Sequence, residues 1–112
     1  MKLEQGMYVR TTTGEIHKIK SISDNYAEYE NGFGVPLDLG EFIKKASYNI
    51  IDLIEVGDYV NGYQVYYCGF CDEDSTGLYI NEHHARVWLN KTSQIKTIVT
   101  KEQFESMEYK VN

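Results

Sequence analysis

The tightest constraint on this chain is a two-residue turn. Asn61 and Gly62 lie between Tyr59-Val60 and Tyr63-Gln64-Val65. Both residue types tolerate positive φ, as a two-residue β-hairpin requires. A second Asn-Gly, Asn31-Gly32, separates Tyr26-Ala27-Glu28-Tyr29-Glu30 from Phe33-Gly34-Val35, and Thr13-Gly14 is a third candidate turn. Between these breaks lie short segments rich in Val, Ile, Thr and Tyr, which fit a pleated surface better than a helix. Residues 85–89 alternate, so Ala85, Val87 and Leu89 are expected to face a core, with Arg86 and Trp88 on the other side. The expected class is mainly β, as a β-rich α+β chain.

One helix is expected, over about residues 101–107. Thr100 is a good N-cap, and Gln103 three residues later completes a capping-box pattern. Phe104 and Met107 then share a stripe. Residues 95–99 before the helix and 108–111 after it read as strands. There is also an internal echo: Gly6-Met7-Tyr8-Val9 returns as Gly57-Asp58-Tyr59-Val60, and a Gly entering a strand suits a sharp bend or bulge. The echo allows a single mixed sheet, a small SH3-like barrel, or two tandem curled sheets. The halves would be residues 1–48 and 49–112, with the seam inside 37–50, where Leu39–Ala46 could form a short helix instead.

At 112 residues the chain can bury a core without metal or disulfide support. No apolar run approaches the ~18 residues of a membrane span, and the opening residues lack a signal-peptide core. The expectation is a protein of the cytoplasm whose two cysteines are thiols. The formal net charge is −6. Residues 1–50 hold six bases and seven acids, residues 51–112 five bases and ten acids. Binding to nucleic acid rests on cation contacts that release counterions, so nucleic acid is a poor partner for this chain.

Residues 49–63 (NIIDLIEVGDYVNGY) and 95–111 (IKTIVTKEQFESMEYKV) resemble small uncharacterised accessory proteins of phages and prophages of Gram-positive bacteria. The run Val56-Gly57-Asp58-Tyr59-Val60 is similar to the opening strand of SH3-like barrels. The resemblance implies a phage product of the host cytoplasm with a barrel-like β body, and it carries no catalytic motif.

Motifs with chemical potential are incomplete. Cys68 and Cys71 have the spacing of a redox dithiol or half a zinc site, which His83 or His84 would have to complete. Residues three apart on a strand point to opposite faces, so this pair converges only through a knuckle turn. Buried thiols acting as small apolar groups are the expectation, with no metal and no cofactor. Asp72, Asp74 and Thr76 imitate the start of a calcium loop, but His83 stands where the bidentate Glu belongs. No nucleophile elbow, Walker loop or His-Glu-x-x-His helix is present. His17 interrupts Ile16, Ile19 and Ile22 and reads as a structural residue of a bulged strand.

What remains is an aromatic excess: ten Tyr, four Phe and one Trp. Most must serve the core and cross-strand pairs. Yet Tyr63, Tyr66, Tyr67 and Phe70 occupy both faces of one predicted strand, so some should reach the surface. The expected partner-binding residues are Tyr66, Asp72, Glu73, Asp74, Tyr79, Arg86 and Trp88, rings for affinity and acids for steering toward a host protein with a basic surface. The expectation is therefore a non-enzymatic accessory protein that blocks a host protein, for example as an antagonist of bacterial immunity such as an anti-CRISPR. Two rivals are a nucleotide or cyclic-nucleotide binder using Arg86 or Arg10 in a Tyr-lined cleft, and a phage component that self-associates, at least as a homodimer, through strand edges.

Overall fold

The computed structural model describes residues 2–72 and 75–107, with the side chains of all of these except 39–41, 70–72, 75 and 76. The chain divides into two compact units, Met1–Leu53 and Ile54–Asn112. The first holds β1 (Tyr8–Thr11), β2 (Ile16–Ser23), β3 (Tyr26–Tyr29) and β4 (Gly34–Pro36). A 3-10 helix (Leu37–Phe42), β5 (Ile43–Ser47) and a 3-10 turn (Ile50–Leu53) complete it. That last turn stays with the first unit through Arg10, which is wholly buried and donates from Nη1 to the Leu53 carbonyl at 2.9 Å.

The second unit holds β6 (Tyr59–Val60), β7 (Tyr63–Asp72), β8 (Ser75–Glu82) and β9 (Ala85–Leu89). A 3-10 turn (Thr92–Gln94), β10 (Ile98–Val99) and the helix α1 (Lys101–Met107) follow. The class is mainly β: two antiparallel five-stranded sheets in tandem and one short C-terminal helix.

The two units repeat one plan. The sheets run β4-β3-β2-β1-β5 and β9-β8-β7-β6-β10, the same order strand for strand. Gly6 and Gly57 both hold positive φ (89° and 99°) just before the first strand of their unit. Gly6 donates to the Ile19 carbonyl and Ile19 donates back to Met7; Gly57 and Val65 repeat this with Asp58. Pairing then slips at the same place, between Ile19 and Ser21 on β2 and between Val65 and Tyr67 on β7. These registers match Val9 with Val60, Ile19 with Val65, Ala27 with Leu78, Tyr29 with Ile80, and Val35 with Leu89. Every one of those residues is buried. The core is therefore laid out twice on one set of positions, with Leu3, Met7, Ile22, Leu37 and Ala46 packed around it in the first unit.

The turn chemistry acts as its sequence predicts. Asn61 (φ 55°) and Gly62 (φ 87°) form the two-residue turn joining β6 to β7. Thr100 and Gln103 exchange backbone-to-side-chain bonds of 3.1 and 3.3 Å, the reciprocal cap of α1. Three local expectations are corrected. Residues 43–46 form no helix, because Val9 and Arg10 of β1 pair with Ala46 and Lys45. The strand expected from residue 95 starts at Ile98. Asn61 explains that delay: its Oδ1 accepts from the Lys96 and Thr97 amides, and its Nδ2 donates to the Gln94 carbonyl. Ala85 is exposed rather than inward, since it pairs with Glu82 beside the hairpin tip. Residues 108–111 lie outside the described residues.

α1 has no buried residue, so its start must hold it. Phe104 stacks on Tyr59 at 4.7 Å. Asp58, wholly buried, accepts from the Glu55 amide (2.7 Å) and the Lys101 amide (2.9 Å). A carboxylate among the first-turn amides also complements the helix dipole. Lys101 Nζ meets Glu55 Oε1 at 2.9 Å, and that bond holds the ammonium pKa above the usual lysine value. Replacing Asp58 by Ala strands two part-buried donors, each costing about 1–2 kcal/mol. We expect Asp58→Ala to lower unfolding stability by about 2–4 kcal/mol in chemical denaturation, and Asp58→Asn to lose clearly less.

Candidate functional site

The surface that stands out is the outward face of β7, β8 and β9. Strict alternation would send Tyr66 and Tyr67 to opposite sides of β7. The slip between Val65 and Tyr67 makes Tyr66 an extra residue, so both rings gather on Tyr79. Tyr66 and Tyr67 lie 6.0 Å from the Tyr79 ring, and Tyr79 lies 4.7 Å from Trp88, its directly opposed partner on β9. Arg86 leans over Tyr66 (5.9 Å) and Tyr79 (5.7 Å). Aromatic contacts of this kind contribute about 0.5–1.5 kcal/mol each, and an exposed cation–aromatic contact about 0.5–1 kcal/mol. The rings thus brace one another while Tyr66 and Tyr67 each stay 42% exposed.

Two glycines make room for this face. Gly69 and Gly77 oppose each other on β7 and β8. A Cβ on Gly77 would stand 2.7 Å from the Trp88 ring and 2.5 Å from the Leu89 carbonyl. The Tyr67 ring crosses Gly69 in the same way, its hydroxyl 3.2 Å from where a Cβ would lie. A glycine at each place leaves room for a ring to lie close to the backbone.

The first unit shows what the fold itself requires at these places. By register, Tyr66, Tyr67, Tyr79 and Trp88 correspond to Lys20, Ser21, Glu28 and Gly34. Lys20 and Glu28 form an exposed ion pair of 3.8 Å there. An identical strand plan therefore stands without a single ring at these four positions.

The second unit also extends one hairpin. Three residues separate the bonded pair Tyr29 and Phe33, whereas six separate Ile80 and Val87. The turn of the longer hairpin is His83-His84, both at positive φ (49° and 68°), where Asn-Gly would be relaxed. His83 Nε2 bonds the Tyr63 hydroxyl at 2.8 Å. His84, Asn81, Tyr66 and Arg86 line an open cleft of about 360 Å³.

Of the residues expected from sequence, Tyr66, Tyr79, Arg86 and Trp88 come together on this face. Glu73, Asp74 and the Asp72 side chain lie outside the described residues. Sequence reasoning missed Tyr67, Asn81 and His84. The Tyr67 position depends on the bulge; the strained His-His turn was readable only once residues 81–86 are placed in a hairpin.

Other polar side chains of the described residues make local contacts. The Cys68 thiol points to the Ile54 carbonyl at 3.5 Å, on a residue paired with buried Leu78. The Cys71 side chain lies outside the described set. Among the described residues no three His, Cys, Asp or Glu side chains converge. His17 stacks on Tyr29 at 4.2 Å, and its ring nitrogens meet Glu15 (3.3 Å) and Asn31 (3.4 Å). Burial, and then Glu15, push the Tyr29 hydroxyl pKa upward. These residues floor a cleft of about 370 Å³ rimmed by Phe33 and Phe42. No helix of the described residues is long and apolar enough to cross a membrane.

Two non-glycine residues in the left-handed region carry strain of order 1 kcal/mol each. We expect His84→Gly, which keeps the bond between His83 and Tyr63, to raise unfolding stability by up to about 1 kcal/mol, read as a higher denaturation midpoint. An unchanged or lower midpoint would mean that the His-His turn is unstrained. No protein-family model matches this chain, and neither curated proteins nor solved structures yield a similar one.

Proposed function

We propose that this protein is a binding protein rather than an enzyme, and that the outward face of β7–β9 is where it holds a partner. One observation carries the reading. The first unit builds the same strand plan with Lys20, Ser21, Glu28 and Gly34 where the second unit places Tyr66, Tyr67, Tyr79 and Trp88. Rings that a scaffold does not need, left partly open to water and braced by an arginine, have the composition of a protein-binding hot spot.

The partner chemistry follows from charge. A chain of net −6 approaches a basic protein surface fastest, and the run Asp72-Glu73-Asp74 adds to that steering. Resemblance to phage accessory proteins makes the partner a host protein in the host cytoplasm. Blocking a defence component, such as a CRISPR nuclease, is the form we favour.

The test compares two double variants with the intact chain in capture from a bacterial lysate. Tyr79→Ser with Trp88→Ser removes the centre of the face, while Lys20→Ser with Glu28→Ser changes the matching place in the first unit. The first should weaken capture of the same host protein at least about thirtyfold, with thermal unfolding still cooperative. The second should leave capture intact. Equal loss in both variants, or recovery of nucleic acid alone, would overturn the reading.

A further inference from the structure

We propose that the extended β8–β9 hairpin carries a nucleotide site in the open cleft of about 360 Å³ lined by Tyr66, Asn81, His84 and Arg86. The first unit has no counterpart to it, because its hairpin is three residues shorter and those residues are the ones that shape the cleft. Small-molecule sites begin near ~300 Å³, so the space suits a mononucleotide.

The lining is one-sided in chemistry. All four side chains offer hydrogen-bond donors and none is a carboxylate, in a chain with 17 acids and 11 bases. Among the described residues, the Arg86 guanidinium meets only the two tyrosine rings, and no side chain bonds those of Asn81, His84 or Tyr66. These ring contacts consume none of the guanidinium's N–H donors, which can then take a phosphate two-pronged. Asn81 stands directly opposite Arg86 in the register, and the His83-His84 turn sets His84 beside both. A phosphate bound by Arg86 has oxygens left over for Asn81 and His84. The Tyr66 ring next to them, packed against Tyr79 and Arg86 but still 42% exposed, leaves part of its surface for a base, a contact of about 1–3 kcal/mol in single-strand binders. Phosphate donors beside a ring platform select a nucleotide over either piece alone.

The site shares Tyr66 and Arg86 with the proposed partner face but does not depend on a partner. It is tested on the full chain by titration with adenosine 5′-monophosphate, adenosine and inorganic phosphate, followed by amide shifts and calorimetry. The monophosphate should bind and move resonances of residues 81–86, with adenosine and phosphate each at least about tenfold weaker. Arg86→Gln and Asn81→Asp should each weaken the monophosphate about tenfold or more. His84→Gly, which relaxes the turn, should weaken it too while the protein stays folded. Trp88→Ser lies outside the cleft and should leave nucleotide affinity unchanged while weakening partner capture; Asn81→Asp should weaken the nucleotide and leave partner capture unchanged. No binding at millimolar nucleotide, phosphate or adenosine binding as tightly as the monophosphate, or unchanged affinity in both cleft variants would overturn the proposal.

Discussion

Everything in each unit follows from where its second strand bends. A glycine at positive φ, Gly6 or Gly57, turns its amide onto the carbonyl of Ile19 or Val65. That residue then donates back to Met7 or Asp58, closing a pair of backbone bonds. One residue later the ladder slips, and the strand leaves its first partner for its second. A bulge increases local twist, so β2 and β7 each serve two neighbours in a curled sheet instead of one flat pair. Only glycine reaches the required φ without steric cost.

Because both units solve this bend alike, the differences between them are informative. The five matched core positions agree in being apolar, as close packing of the interior demands. Exposed positions need not agree, and at the four matched places they differ: Lys20, Ser21, Glu28 and Gly34 in the first unit, with the Tyr26 ring beside Gly34, against Tyr66, Tyr67, Tyr79 and Trp88 in the second. An exposed ion pair contributes at most about 1 kcal/mol, so the first unit loses little by having no more than that. The second unit accepts an open aromatic band and a strained His-His turn on a scaffold that tolerates plainer choices. That choice, on one face and one hairpin, is what the proposed partner face rests on.

The acidic second unit matters for the same surface in two ways. A net charge of −6 favours approach to basic surfaces over nucleic acid chains, whose affinity depends on many cation contacts, and this is the basis of the partner proposed above. At short range the sign is local, and Arg86 with its neighbours makes a donor-rich spot within an acidic whole. A single phosphate can be held by a few well-placed donors, whereas a polymer of phosphates must face the net field.

Much of this was legible in the residues. Asn61-Gly62 specified its hairpin because both residues tolerate positive φ, and Thr100 with Gln103 specified the helix start because their reciprocal bonds are local. The Gly6 and Gly57 echo marks two strand entrances of one kind, and strand alternation with the excess of rings points to Tyr66, Tyr79, Arg86 and Trp88 as surface residues. Tertiary structure alone decided that Tyr66 and Tyr67 share a face, that Asn61 delays the last strand, and that Asn81 and His84 flank Arg86. Each of those depends on strand register, which is set by distant partners and shifted by a bulge, so no local period in the chain encodes it.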